Sequence, residues 1–187
     1  MKKIGLFGGT FDPPHIGHIQ LVKTVLESLE LDEVWLIPTY TPPHKEGARA
    51  DSQHRLNMLR LLIDGEDQLS ISTIEYKREG KSYTLDTVKE LKKLYPKNQF
   101  YFIIGGDMID YLPKWHRIDE LKQLIQFVGV QRKGYNNPND QDVLIVEMPP
   151  IEVSSTDIRE NIKLGRVPVG LPDSVREYIK ENHLYED

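Results

Sequence analysis

Short apolar runs alternate along this chain with longer stretches in which apolar residues recur every three or four positions. Ile4, Leu6 and Phe7 around Gly5 form a first run of strand length. Ile19, Val22, Leu26 and Leu29 follow at helical spacing, so the pattern predicts a strand and then a helix from Gly17 to about Leu29. Residues 34–37 (Val-Trp-Leu-Ile) predict a second strand, stopped at Pro38 and followed by a proline-rich loop, 38–45, that excludes regular structure. Leu56, Leu59, Leu62 and Ile63 predict a helix, and Leu69, Ile71 and Thr73 alternate with polar neighbours as in a half-buried strand. Thr84 is the expected cap of a helix whose buried stripe is Leu85, Val88, Leu91 and Leu94, ended before Pro96. Residues 100–104 (Phe-Tyr-Phe-Ile-Ile) are the most apolar run and break abruptly at Gly105-Gly106-Asp107. A short helix through Ile118, Leu121 and Leu124 follows, then strands at 127–130 and 143–146. A helix through Ile158 and Ile162 with Gly165 near its end, and a last one from Val175 to about Glu181, complete the pattern.

Strands alternating with helices predict an α/β fold with a mainly parallel, doubly wound sheet, and ligands in such sheets gather at the carboxyl ends of the strands. With 187 residues and no internal repeat or low-complexity tract, the chain is expected to form one domain, 1–187. It contains no cysteine, which excludes disulfides, thiolate metal sites and cysteine nucleophiles. The opening Met1-Lys2-Lys3 and the brief apolar run after it do not resemble a secretory signal. No stretch approaches the roughly 18 apolar residues of a membrane span, so a soluble, cytoplasmic protein is expected. The net charge of −5 argues against nucleic acid as a partner, and any polyanion must meet a locally basic site.

The candidate chemistry is concentrated between the first strand and the first helix, in Gly8-Gly9-Thr10-Phe11-Asp12-Pro13-Pro14-His15-Ile16-Gly17-His18. A strand-to-helix turn presents backbone N–H groups and a positive helix end to anions, glycines admit close approach, and His15 and His18 fall on the same side of the helix start. Neither the dinucleotide fingerprint G-x-G-x-x-G nor the P-loop pattern is present, so hydride transfer and P-loop kinase chemistry lack their signatures. Asp12 reads as structural, and Trp35, inside an apolar run, as a packing residue.

His15-Ile16-Gly17-His18 resembles the His-x-Gly-His signature of the nucleotidyltransferase superfamily. Class I aminoacyl-tRNA synthetases share that tetrapeptide, but their Lys-Met-Ser-Lys-Ser loop is missing and 187 residues leave no room for an anticodon-binding domain. Within the superfamily the chain is similar, nearly end to end, to bacterial nicotinate-nucleotide adenylyltransferases. The likeness runs through Gly8 to His18, Pro42-Pro43-His44-Lys45, Ser82-Tyr83-Thr84, Ile104-Gly105-Gly106-Asp107 with Trp115, and Val153-Ser154-Ser155-Thr156-Asp157-Ile158-Arg159. It ends with Leu171-Pro172 to Leu184-Tyr185. One departure is Gln131-Arg132-Lys133-Gly134, where many relatives carry an Arg-Pro-Gly turn; Arg132 is retained and Lys133 replaces the proline.

The resemblance implies a Rossmann-like fold with a short C-terminal helical segment, and attack by the 5′-phosphate of nicotinate mononucleotide on the α-phosphorus of ATP. As implied by the family, His15, His18 and Arg159 are the catalytic donors, positively charged and set against the phosphates. Gly8, Gly9, Thr10, Phe11, Ser154, Ser155 and Thr156 complete the ATP site, the last three through hydroxyls and N–H groups at a helix start. Lys45, Thr84, Gly105, Asp107, Trp115 and Arg132 are expected to hold the mononucleotide, with Trp115 stacking on the pyridine ring, Thr84 near its carboxylate and Asp107 near ribose hydroxyls. Mg²⁺ is expected to be held by nucleotide phosphates and water rather than by protein ligands. Transfer to nicotinamide mononucleotide or phosphopantetheine, or nucleotide sensing without turnover, are the alternatives. Self-association into a homo-oligomer is left open.

Overall fold

A computed structural model describes residues 1–40, 47–78, 80–81, 83–132 and 142–187, the side chain of Arg132 excepted. β1 (Lys3–Gly9) leads to α1 (Ile16–Ser28), β2 (Glu33–Pro38) to α2 (Ser52–Leu62), and β3 (Leu69–Ile71) to α3 (Thr84–Leu94). β4 (Gln99–Gly105) runs into the one-turn α4 (Gly106–Ile109), a 3₁₀ turn at Leu112–Lys114 and α5 (Ile118–Leu124). β5 (Gln126–Arg132), β6 (Val143–Met148), α6 (Ser155–Lys163) and α7 (Asp173–Glu181) follow. The strands form one sheet in the order β3-β2-β1-β4-β5-β6, every pair parallel. This is the α/β architecture that the alternation predicts.

Both faces of the sheet are covered, which is why its central strands carry continuous apolar runs rather than alternating ones. On one face Val22, Val25 and Leu26 of α1, Met58 and Leu59 of α2, Ile158 of α6 and Val175 and Ile179 of α7 pack over Leu36, Ile103 and Val128. On the other, Leu85, Val88 and Leu91 of α3 and Leu121 of α5 pack over Leu6, Phe102 and Phe127. Strand order reverses between β1 and β4, which pair in the register Ile4 with Phe100. The chain therefore leaves these neighbours in opposite directions and opens a crevice at their carboxyl ends. The turn containing His15 and the Gly105-Gly106 break lie at that rim.

Several boundaries differ from the sequence reading. β3 stops at Ile71, and Thr73 instead accepts from the Tyr76 N–H in a turn. Thr84 is the first residue of α3 rather than its cap; the cap position is Tyr83, whose carbonyl closes the first turn and whose ring lies 4.6 Å from that of His116. Gly165 does end α6, at φ +68, with the Arg166 N–H donating to the Asn161 carbonyl. Trp35 packs edge-on against Tyr95 and Phe100 as expected. No helix among the described residues is long and apolar enough to cross a membrane.

Candidate active site

At the end of β1 the turn 10–15 delivers His15 to the N-cap of α1 and His18 to its third helical position. His15 Nδ1 accepts from the Gly17 N–H at 3.1 Å, and His18 Nδ1 accepts from the His15 N–H at 3.1 Å. The two imidazoles thus form a reciprocal capping box, a role ordinarily filled by a hydroxyl and a carboxamide or carboxylate. Their rings stack with centroids 3.8 Å apart, and the Phe11 ring meets His18 edge-on at 5.0 Å. Gly17 is required here, because a Cβ would stand 2.6 Å from Ile151 Cγ2 and 2.9 Å from His15 Nδ1.

These contacts determine charge. Burial pushes the His15 side chain down to about 4, and burial together with the neighbouring His15 holds His18 well below its ordinary value. Each Nδ1 accepts a backbone N–H, so in the neutral ring the proton resides on Nε2. Among the described residues neither Nε2 has a hydrogen-bond partner. The positively charged histidine donors expected from the sequence are therefore neutral Nε2–H donors near pH 7.

The structure also redistributes the backbone donors. In the first turn of α1, Ile16 N–H donates to Gly170, Gly17 N–H to the His15 ring and His18 N–H to the His15 carbonyl, so that helix end offers no free N–H there. The free amides instead belong to Thr10, Phe11 and Asp12, which donate to no group among the described residues. Phe11 has φ +50 and is as a whole residue 2% exposed, with its ring packed on Gly9, Phe7 and His18. Its ring is therefore a packing group, and its N–H is a donor without a partner among the described residues. Gly8 is exposed at the rim, and Gly9 is half-buried under the Phe11 ring.

The start of α6 docks on this turn from far along the chain. Ser155 Oγ donates to the Pro13 carbonyl at 2.8 Å, and Arg159 Nη1 donates to the Asp12 carbonyl at 2.7 Å. Arg159 is thus placed beside the turn that carries the histidines. Ser154 Oγ caps α6 by accepting from the Asp157 N–H and donates to the Asp157 carboxylate, so neither serine hydroxyl is available as expected. What remains is the N–H groups of Ser155 and Thr156, the Thr156 hydroxyl, which accepts from Arg159, and the other guanidinium N–H groups.

A crevice of about 380 Å³ lies beside α1 at the ends of β4, β5 and β6, bordered by Leu21, Gly105, Asp107, Gln131, Met148 and Ile151. Gly105 and Asp107 line it, whereas Thr84 and Trp115 do not, so the residues assigned to the mononucleotide are split between two places. The chain neighbours of Thr84 and Trp115, Tyr83 and His116, meet with ring centroids 4.6 Å apart. Trp115 is half-buried and edge-on to Phe102 at 5.8 Å and Phe127 at 6.0 Å. Asp107 is exposed in the first turn of α4. Arg132 ends β5. Lys45, with Pro42 to His44, lies outside the described residues, as do Ser82, Lys133 and Gly134.

Three residues gain a definite place that the sequence did not specify. The Asp12 carboxylate accepts from Arg49 N–H at 2.7 Å, Ala50 N–H at 3.1 Å and the Tyr185 hydroxyl at 2.7 Å. Arg55 is 1% exposed inside α2. The available signal for it was position, since residues 55, 59 and 62 share the apolar face on which a charge is out of pattern. Nothing local pointed to Tyr185. Among the described residues no group of three or more His, Asp or Glu side chains is arranged to hold a metal ion.

Residues 6–161 match the Cytidylyltransferase-like family model. A nicotinate-nucleotide adenylyltransferase of Bacillus subtilis (strain 168) is 50% identical over 189 residues, with all of both chains covered. In fold, the chain is similar to Plasmodium falciparum nicotinic acid mononucleotide adenylyltransferase complexed with NaAD, at TM-score 0.83 and 20% identity over 100% of this chain and 98% of that one. The same Plasmodium protein complexed with APC gives TM-score 0.81 with the same identity and coverage. The reversed-order parallel sheet, the histidine capping box at its switch point and this full-length likeness have one conclusion: the chain belongs to the cytidylyltransferase-like family and, within it, to the nicotinate-nucleotide adenylyltransferases.

Proposed function

We propose that this chain transfers the adenylyl group of ATP to nicotinate mononucleotide, forming nicotinate adenine dinucleotide (deamido-NAD) and pyrophosphate, as a single cytoplasmic nucleotidyltransferase domain in NAD biosynthesis. The observation that carries this reading is the stacked histidine pair at the end of β1 with Arg159 docked beside it. The attacking oxygen belongs to a phosphate that is already ionised, so no general base is needed. That oxygen forms a bond to the α-phosphorus as the bond from it to the bridging oxygen breaks, and pyrophosphate leaves with the electron pair. The protein's task is to align two anions and to meet the charge that accumulates on the α-phosphate and leaving group.

Neutral Nε2–H donors suit that task because they add little long-range attraction to the bound triphosphate, and their hydrogen bonds strengthen as charge develops at the reacting phosphate. In this reading His15 and His18 contact the α- and β-phosphates together with the Thr10 and Phe11 N–H groups, while Gly8 and Gly9 allow close approach. Arg159 and the Ser155 and Thr156 N–H groups receive the outgoing phosphates. The crevice beside Leu21 and Ile151 takes the adenosine, with Asp107 and the Gly105 backbone at a ribose. Thr84 and Trp115 meet the nicotinate ring, and Lys45 and Arg132 its phosphate. Nucleotidyltransferases of this kind generally use a divalent metal. With the Asp12 carboxylate already occupied by three donors, Mg²⁺ is best read as part of the MgATP substrate rather than as an ion held by the chain.

Donors facing the pyridine substituent favour a carboxylate over a carboxamide, whose NH₂ would meet them without an acceptor, a mismatch of about 1–3 kcal/mol. Purified protein with MgATP is therefore expected to convert the acid mononucleotide at least about tenfold faster than the amide. Equal or reversed rates overturn the substrate assignment, and no turnover with either overturns the reaction.

A further inference from the structure

Arginine is rarely buried without a partner of opposite charge, yet Arg55 is 1% exposed and, among the described residues, forms no ion pair. Its guanidinium is spent on four backbone carbonyls: Nη1 on Thr10 at 2.8 Å and Thr39 at 2.7 Å, Nη2 on Tyr40 at 3.1 Å, and Nε on Ala50 at 3.3 Å. Thr10 follows β1, Thr39 and Tyr40 follow β2, and Ala50 immediately precedes the N-cap of α2. One side chain therefore ties together the exits of two adjacent strands and the entrance to its own helix. Both backbone polar groups of Ala50 are held, its N–H by Asp12 and its carbonyl by Arg55.

The bond to Thr10 has a consequence for the candidate active site. The Thr10 carbonyl and the Phe11 N–H belong to one planar trans peptide, so they point in opposite directions. Fixing that carbonyl toward the buried guanidinium turns the Phe11 N–H away from it, and that N–H is one of the three amides of the turn, with those of Thr10 and Asp12, that donate to no group among the described residues. We infer that Arg55 is a positioning residue for adenylyl transfer, which aims the Phe11 amide at the reacting phosphate by holding the opposite end of the same peptide. The inference rests on the functional reading above, in which that turn receives the triphosphate. It touches no substrate itself. Lysine cannot substitute, because a single ammonium lacks the planar fork that reaches carbonyls on three segments at once.

The test uses the full chain in three variants. Arg55→Lys is expected to fold, by far-UV circular dichroism, and to lose at least about tenfold in kcat while the KM for nicotinate mononucleotide stays within about twofold. Phe11 replaced by phenyllactic acid, which turns the 10–11 amide into an ester, deletes that N–H and weakens the Thr10 carbonyl as an acceptor for Arg55, is expected to lose at least a similar factor. Asp51→Ala removes the α2 cap, an acceptor of the His54 N–H at 2.8 Å, without touching the Thr10 peptide. It should lower the melting temperature and leave kcat within about twofold. Full kcat in folded Arg55→Lys overturns the inference, as does kcat that tracks melting temperature across Arg55→Lys and Asp51→Ala. Full kcat in the ester variant overturns it even if Arg55→Lys does not fold. An inactive wild-type protein would instead defeat the functional reading on which this rests.

Discussion

Replacing His18 by asparagine separates two jobs that the imidazole performs at once. Asn Oδ1 lies as many bonds from the backbone as His Nδ1, so it can still accept from the His15 N–H and keep the capping box closed; alanine cannot. Both substitutions delete the Nε2–H donor, and both remove the ring that stacks on His15 at 3.8 Å and meets Phe11 at 5.0 Å. Loss of the ring contacts is worth about 1 kcal/mol and loss of the cap about 1 more. His18→Asn should therefore cost about 1 kcal/mol and His18→Ala about 2, a further drop of roughly 2–4 °C in melting temperature for the alanine variant. In kcat the two should be alike, each down by at least about 100-fold, or about 2.7 kcal/mol of transition-state stabilisation. The assay is steady-state pyrophosphate release at saturating MgATP and nicotinate mononucleotide, alongside thermal unfolding. Retention of kcat within about threefold by His18→Asn would refute the donor role, and kcat falling in step with stability would mean that the cap alone matters.

The same burial predicts how stability depends on pH. The unfolded chain titrates its histidines near 6.5, while His15 folded is pushed down to about 4 and His18 lies well below the ordinary value. Between these values the unfolded state binds more protons, so stability is full above about pH 6.5 and drains as pH falls toward 4, by about 3 kcal/mol from His15. Urea midpoints from pH 7.5 to 4.5 should show this slope in the wild type and lose much of it in His15→Asn/His18→Asn; identical slopes would contradict it. At the other end of the chain, Tyr185→Phe deletes the 2.7 Å bond from its hydroxyl to Asp12. With Arg49 and Ala50 still holding that carboxylate, the variant should lose about 1–3 kcal/mol by thermal unfolding and change kcat less than about threefold. An unchanged melting temperature would show that the C-terminal segment contributes nothing through this contact.

Periodicity alone located most strands and helices, because the apolar run of a sheet covered on both faces and the three-to-four spacing of α1 or α3 are properties of neighbouring residues. The candidate phosphate turn was likewise legible from two glycines, two prolines and two histidines placed between a strand and a helix. α4 escaped notice because one turn is too short to show a period, and Thr84 read as a cap because threonine suits that position wherever it occurs. The charge of the histidines, the occupied first turn of α1 and the hidden Phe11 ring depend on what surrounds them in three dimensions. Arg159 meets Asp12 across 147 positions and Tyr185 meets it across 173. A local pattern records which residues a helix or strand presents, whereas desolvation and hydrogen-bond partnership arise only when remote segments close on one another. That is why residue types could nominate the site, and packing alone could assign each group its protonation and its free donors.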